Sequence, residues 1–141
     1  MSFKLKVVTP FGVFFEGDIE SLNICTKQGY LTILANHIPL ISPLKIETMT
    51  FRVKSSGNSK NTINETRVCA LAGGIMYVDK DQTKIIANAC EYKEDIDINR
   101  ALAAKERAEK RLEAKNENIN IKRAEIALRK ALNRINTYNN L

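Results

Sequence analysis

The chain has 141 residues and a mass of 15.9 kDa, enough for one domain and an appendage. Hydrophobic residues make up 44% of it and charged residues 27%, which is ordinary for a soluble globular protein. It has no apolar run of about eighteen residues that would span a membrane, and its start lacks the apolar segment of a signal peptide. These features predict a cytoplasmic protein that meets a membrane only through a partner.

The net charge of +6 is concentrated in the C-terminal part of the chain. Residues 97–141 carry 11 Lys and Arg against 6 Asp and Glu, whereas residues 1–96 carry 11 against 10. The excess of cations predicts an anionic partner for the C-terminal segment. The alternative is a solvated helix surface with ion pairs four residues apart, namely Glu106 with Lys110 and Glu125 with Arg129.

The sequence carries no catalytic or metal-binding signature. Cys25, Cys69 and Cys90 lack the paired spacing of a metal site and are predicted to be small buried thiols in a reducing compartment. His37 is the only histidine, so a structural or interface role is predicted for it. Neither a phosphate-binding loop of the Walker type nor a Gly-x-Ser-x-Gly elbow is present. We therefore predict a protein that is not an enzyme and holds no metal.

The first ninety residues have the pattern of short β-strands. Apolar and polar residues alternate in runs over residues 3–7, 13–15, 21–25, 30–34, 46–53, 66–71, 75–78 and 84–88. Breakers between the runs include Pro43 and the pair Gly73 and Gly74, where a bulge or tight turn is predicted. Eight to ten such strands predict an all-β sandwich or flattened barrel, with an exposed loop over residues 55–65.

A change of hydrophobic period from two to 3.6 divides the chain into residues 1–90 and residues 91–141. Small apolar residues then recur three and four apart on both sides of a break at residues 116–120, as in an antiparallel pair of helices. They are Ala101, Ala104, Ala108 and Leu112, followed by Ile121, Ala124, Leu128, Ala131 and Ile135. Alanine stripes bury little area, so the hairpin is predicted to be weakly held and able to open.

The starts of both helices have capping residues. Asp95 or Asp97 is predicted to cap the first helix, and Asn118 or Asn120 the second. Arg100 falls in the first turn of the first helix, where free amide hydrogens and the helix dipole favour an anion.

A candidate polyphosphate site follows from this arrangement. Lys130 and Arg134 are four residues apart and share a face of the second helix, so a folded hairpin would bring them towards Arg100. Residues placed to hold a flat base next to the phosphates are Ile96, Ala101, Asp97 and Glu91. The alternative is that the three cations pair with carboxylates of the helices.

Four segments of the chain occur in a recognisable order and spacing. They are KVVTPFG at residues 6–12, followed by Glu16, QGYLTILANHIPL at residues 28–40, AGGIMYV at residues 72–78, and EDIDINRA at residues 94–101. Together they resemble the ε subunit of bacterial F-type ATP synthase. The last segment is similar to the Ile/Leu-Asp-x-x-Arg-Ala motif with which some bacterial ε subunits bind ATP.

The resemblance implies a ten-stranded sandwich and a two-helix C-terminal domain in a non-catalytic rotor subunit. In that family the sandwich binds the γ subunit and the c-ring, in the central stalk at the cytoplasmic face of the membrane. The hairpin lies folded on the sandwich or extends into the α3β3 head, where its basic second helix blocks ATP hydrolysis. No cofactor is required, and ATP is implied as a regulatory ligand that favours the folded state.

Residue by residue, the resemblance implies an ATP site at Glu91, Ile96, Asp97, Arg100, Ala101, Lys130 and Arg134. Lys130 stands where the ATP-binding members have an arginine, and lysine lacks the planar fork that grips phosphate at two points. Weaker ATP binding is therefore expected. The neighbouring Arg129 lies about 100° around the helix, which argues against its substituting for that arginine.

A contact with the c-ring or γ is implied for Tyr30, Leu31 and His37. Tyr30 replaces an acidic residue of the family pattern, and Ala35 and Asn36 replace Pro-Gly. Asparagine accepts the left-handed turn that this replacement requires.

Two other functions remain open. The chain is a purely structural coupling subunit if its hairpin only braces γ and its nucleotide site is lost. The basic hairpin also suits a nucleic-acid-binding module, although interspersed acids and the lack of aromatic residues over residues 97–136 argue against it.

Overall fold

Seven β-strands precede two α-helices in the computed structural model, which describes residues 1–54, 65–114 and 120–140. The strands are β1 Phe3–Thr9, β2 Gly12–Thr26, β3 Gly29–Ile33, β4 Leu40–Val53, β5 Thr66–Val78, β6 Gln82–Ala87 and β7 Cys90–Tyr92. A 3-10 turn at Lys93–Asp95 leads into α1 Ile98–Ala114 and α2 Ile121–Tyr138.

The sheet closes on itself. Its strand order is β1-β6-β5-β4-β2-β3, and β1 also pairs antiparallel with β2, so five strands form a ring. The pairing of β1 with β6 is parallel, whereas the other pairings are antiparallel. The predicted β-sandwich or flattened barrel is confirmed.

The predicted count of eight to ten strands is too high for the described residues, where two pairs of predicted runs merge. The 15 residues of β2 join the runs at 13–15 and 21–25, and the 13 residues of β5 join those at 66–71 and 75–78. Register shifts in the pairing of β2 with β4 change the course of the strand without ending it. The predicted loop at residues 55–65 lies outside the described residues except for Glu65, which is exposed.

The predicted bulge or turn at Gly73 and Gly74 is wrong, because both residues lie inside β5 with unbroken register. Their φ angles are +81° and +146°, in the region that favours glycine. A Cβ atom on Gly74 would lie 2.2 Å from the carbonyl oxygen of Ile86, so glycine allows β6 to approach. Pro43, another predicted breaker, is also inside a strand, and its carbonyl accepts a hydrogen bond of 3.1 Å from the Lys27 amide.

An apolar core fills the closed sheet. Its largest fully buried side chains include Phe51, Leu5, Ile19, Leu22, Ile24, Ile33, Met49, Leu71, Met76 and Ile85. Cys25 and Cys69 are buried free thiols, as predicted, whereas Cys90 is only half-buried against the core.

The predicted helix caps are present at Asp97 and Asn120. The Asp97 carboxylate accepts hydrogen bonds from the amides of Asn99 and Arg100, at 3.1 and 3.2 Å. Asn120 Oδ1 accepts one from the Arg123 amide at 3.2 Å. Each side chain satisfies amides that the first helical turn leaves free.

The predicted stripes meet in an antiparallel helical hairpin, in which α1 packs against α2. Ala101, Ala108, Ala124 and Ala131 are buried, as predicted from their spacing. Ile121 is an exception with 55% of its surface exposed, since it is the first residue of α2.

Some charged side chains on the solvent-facing side of the hairpin form ion pairs. Glu106 and Lys110 form the predicted ion pair at 3.1 Å, and Lys105 and Glu109 form another at 3.8 Å. Glu125 and Arg129 are not within ion-pair distance, so this part of the interpretation is wrong for α2. No described helix is long and apolar enough to cross a membrane.

Candidate functional site at the interface of the second helix and the sheet

The second helix docks on β4 and β5 through buried polar side chains. Asn133 Nδ2 donates a hydrogen bond of 3.0 Å to the Leu71 carbonyl oxygen in β5. The Thr137 and Thr48 hydroxyls are 2.8 Å apart, and each also lies 3.4 Å from Asn133 Oδ1. Asn133 and Thr137 are buried, so this interface is held by hydrogen bonds shielded from water.

An ion pair between the sheet and α2 lies beside these hydrogen bonds. Arg134 is 3.0 Å from one carboxylate oxygen of Glu91 and 3.2 Å from the other, and both side chains are about 30% exposed. Glu91 belongs to β7, which pairs with β5. Arg134 Nε is buried and has no hydrogen-bond partner among the described residues.

A groove of about 410 Å³ opens beside this ion pair. Glu91, Lys130, Asn133 and Arg134 line it, together with Phe11 and other residues. The structure thus brings together three of the seven residues in the predicted ATP site: Glu91, Lys130 and Arg134. Arg129, by contrast, does not line this groove.

The other four residues of the predicted site surround the start of α1. Arg100 is exposed, and Oδ1 of Asp97 accepts both capping hydrogen bonds. Ile96 is 5% exposed and Ala101 is 0% exposed, so neither presents a surface to a flat base in this conformation. None of these four residues lines the groove with Lys130 and Arg134.

The predicted contact residues Tyr30, Leu31 and His37 lie at one edge of the sheet and in the segment that follows β3. Tyr30 is 70% exposed, whereas Leu31 is half-buried. His37 Nδ1 donates a hydrogen bond of 2.7 Å to the Ile38 carbonyl oxygen. Asn36 has a φ of +61°, which confirms the predicted left-handed turn.

Burial also changes proton affinities near β7. The hydrogen bond with Cys90 and burial both raise the pKa of the Cys69 thiol far above its ordinary value. Burial raises the pKa of the Tyr92 hydroxyl, against the lowering effect of Arg67. Both groups are therefore neutral at physiological pH. Separately, the described residues contain no cluster of three or more His, Cys, Asp and Glu that could hold a metal ion.

Asn133 and Thr137 were missed in the sequence, because isolated polar residues on a helix are normally solvated. Asn133 lies two residues after the buried Ala131, hence about 200° around the helix, on the side away from the alanine stripe. The spacing of Asn133 and Thr137, four apart on one face, was the available signal. Their hydrogen-bond partners in β4 and β5 are far away in sequence, so no local pattern pairs them.

Models of known protein families match both the strand and the helix parts of the chain. Residues 2–93 match the β-sandwich domain of the ATP synthase delta/epsilon chain, and residues 94–139 match its long α-helix domain. The chain therefore belongs to the delta/epsilon chain family of ATP synthases.

Individual relatives confirm the resemblance to ε subunits. The ATP synthase epsilon chain of Halalkalibacterium halodurans is 44% identical over 93% of this chain and 92% of the relative. That of Bacillus velezensis is 42% identical over 97% of both chains.

Solved structures share the fold at low identity. A chain of the Euglena gracilis mitochondrial ATP synthase, solved with OSCP, F1 and the c-ring, has a TM-score of 0.75 and 18% identity. The alignment covers 91% of this chain and 76% of that one. A chain of the Tetrahymena thermophila central stalk and c-ring has a TM-score of 0.56 and 14% identity, over 98% and 94%.

Proposed function

We propose that this chain is a non-catalytic central-stalk subunit that couples proton transport to ATP synthesis in an F-type ATP synthase. Its similarity to chains named ATP synthase epsilon chain over nearly their full length supports the proposal. The sandwich binds γ and the c-ring, with Tyr30, Leu31 and His37 at that surface. The subunit is peripheral to the membrane, at its cytoplasmic face.

The hairpin regulates the enzyme by leaving the sheet and entering the α3β3 head, where it inhibits ATP hydrolysis. The observation that carries this proposal is the polar interface of α2 with the sheet, centred on Asn133 and Thr137. Such hydrogen bonds exchange with water on release, so each contributes only about 0.5–1.5 kcal/mol to docking. Release of the hairpin therefore requires little free energy.

ATP acts on this equilibrium by binding the docked hairpin. The groove that Lys130 and Arg134 line receives the phosphates, which these two cations attract. Arg100, which does not line this groove in the structure, is the third cation of the proposed site and contacts the phosphates from the start of α1. ATP must bind the docked state more tightly than the released one, because equal affinity for both would shift nothing.

A purely structural coupling subunit is the second candidate. Three observations favour it: Asp97 already caps α1, Arg134 is paired with Glu91, and the groove has lysine rather than arginine at position 130. Under this reading the hairpin braces γ and binds no nucleotide.

Calorimetric titration with ATP, with and without Mg²⁺, separates the two candidates. The regulatory proposal expects saturable binding that Arg100→Ala weakens tenfold or more, since a charged hydrogen bond to phosphate is worth about 1.5–3 kcal/mol. Arg107→Ala, an exposed cation elsewhere on α1, is the matched control and should bind as the unaltered chain does. Absence of binding in the unaltered chain would favour the structural subunit.

The variant Lys130→Arg tests the groove itself. A guanidinium adds two-point contact with phosphate, so ATP affinity is expected to rise several-fold. Unchanged affinity would place the phosphates away from Lys130.

Inhibition is tested in the assembled ATP synthase with the chain truncated after Glu94. Loss of the hairpin is expected to raise the ATPase rate while the sandwich still assembles. An unchanged rate in an intact complex would contradict the inhibitory role, whatever the result of the ATP titration.

A further inference from the structure

A second and larger groove, on the other side of Lys130, collects positive charge from both domains. Its volume is about 800 Å³, and its walls come from β4, β5, the turn between β2 and β3, and α2. Lys27 and Lys45 of the sandwich line it opposite Arg129 and Lys130 of α2. No carboxylate is present among the described residues that line it.

These four cations have no counter-ion among the described residues. None of them forms an ion pair with a carboxylate in the described part of the chain, where the pairs found involve other residues. Arg129 is not paired with Glu125, although the two are four residues apart on the helix. Docking of α2 therefore brings like charges into one groove, where they repel one another.

The sandwich wall of the groove is well fixed. The Lys27 amide donates to the Pro43 carbonyl oxygen at 3.1 Å, which ties the β2–β3 turn to β4. Within the turn, the Thr26 hydroxyl donates to the Gly29 carbonyl oxygen at 2.9 Å and accepts from the Gln28 amide at 3.2 Å. Lys27 thus lies in a turn whose backbone is already fixed by hydrogen bonds. Less conformational entropy is lost when such a residue binds a ligand.

We propose that this groove binds a short polyphosphate chain, which bridges α2 and the sandwich. A linear anion with several charged oxygens matches cations spread along a groove better than a single small anion does. Asn88 also lines the groove, and its Nδ2 donates a hydrogen bond of 3.4 Å to the Ala72 carbonyl oxygen. The bound chain replaces the repulsion between the two walls with attraction to a common anion, and so favours the docked hairpin.

This groove is distinct from the candidate ATP site. Glu91, Arg100 and Arg134 do not line it, and Lys130 is the one residue of that site that reaches both grooves. The anion proposal does not depend on nucleotide sensing, because Lys27, Lys45 and Arg129 do not belong to the candidate ATP site.

The test is calorimetric titration of the full chain with inorganic triphosphate, without Mg²⁺ and at low salt. The unaltered chain is expected to bind with saturation at one site. Lys27→Ala and Lys45→Ala should each weaken binding about tenfold, as loss of a charged contact does. Lys84→Ala is the matched control, an exposed strand lysine outside the groove, and should leave the affinity unchanged.

Two results would overturn the proposal. One is no saturable binding by the unaltered chain, and the other is full affinity in the Lys27→Ala, Lys45→Ala double variant. Arg100→Ala distinguishes the sources of phosphate: it should retain triphosphate binding even if it loses ATP. Loss of triphosphate binding in Arg100→Ala would assign the anion to the candidate ATP site instead.

Hydrogen exchange tests the bridging role. Triphosphate should slow exchange of the α2 amides in the unaltered chain and have no effect in the double variant. Saturable binding with unchanged exchange would show that the anion does not bridge the two walls.

Discussion

The core of the sheet and the interface between α2 and the sheet differ in chemistry. Inside the sheet, large apolar side chains such as Phe51 and Met49 are fully buried. Between α2 and the sheet, the buried groups include Asn133 and Thr137, and an ion pair lies at the edge. Removing a large apolar side chain from water contributes about 1.5–3 kcal/mol, against about 0.5–1.5 kcal/mol net for a hydrogen bond. Each large side chain of the core therefore contributes more to the free energy of folding than each hydrogen bond between α2 and the sheet does.

Truncation in the core should have the largest effect. We expect Phe51→Ala to lower the free energy of unfolding by about 3–5 kcal/mol, because the change removes buried surface and leaves a cavity. Urea denaturation followed by circular dichroism measures the loss. Ile41→Ala, at an exposed position of β4, is the control and should change stability by less than about 0.5 kcal/mol. A loss in Phe51→Ala as small as in the control would contradict the assignment of the core.

Removal of the docking amide should have a smaller and local effect. Asn133→Ala leaves the Leu71 carbonyl oxygen without its α2 partner, at a cost of about 1–3 kcal/mol. Hydrogen exchange is expected to accelerate in α2 and much less in the strands. Asn136→Ala, exposed on the same helix, is the control. Equal acceleration in the core strands would show that the two interfaces open together.

High pH should weaken the sheet next to the docking interface. Folded Cys69 keeps its proton at pH values where the unfolded thiol, with a pKa of 9.0, loses it. The folded state then binds more protons, so the free energy of unfolding falls above about pH 9, by at most about 1.4 kcal/mol per pH unit. Urea denaturation at pH 8 and pH 10 measures the slope, and Cys69→Ala should flatten it. A slope retained by the variant would assign the effect to other groups.

Loss of a helix cap should have the smallest effect. Asn120→Ala removes the acceptor of the Arg123 amide and should cost about 1 kcal/mol, confined to the start of α2. Hydrogen exchange of the first turn of α2 checks this. Glu106→Gln, which breaks an exposed ion pair on α1, serves as the reference and should change stability by about 0.5 kcal/mol or less. Faster exchange throughout α2 would mean that the cap also controls docking.

Local patterns in the sequence predicted the kinds of elements better than their lengths. Alternation of apolar residues identified the β domain, and spacings of three and four identified both helices with their caps at Asp97 and Asn120. The breaks predicted at Pro43 and at Gly73 and Gly74 were wrong, because these residues lie inside the long strands β4 and β5. At Gly74 the reason for glycine is the Ile86 carbonyl of β6, which lies twelve residues further on and which no local pattern contains.

Only part of the candidate site could be predicted from the sequence. Helical spacing predicted Lys130 and Arg134, with Glu91 beside them, and the structure brings these three residues to one groove. The sequence did not predict Asn133 or Thr137, whose partners Leu71 and Thr48 are distant in sequence and follow only from how α2 crosses the sheet.

The parallel pairing of β1 with β6 has a consequence for how the chain is made. Lys4 pairs with Gln82, so one edge of β1 has no partner until the ribosome has added almost eighty further residues. At about 5–20 residues per second this interval lasts roughly 4–16 s, during which β1 can pair with other strands. The ring of strands closes only when residues 82–87 emerge. The two helices follow the strands in the chain, so α2 meets β4 and β5 after both strands have been made.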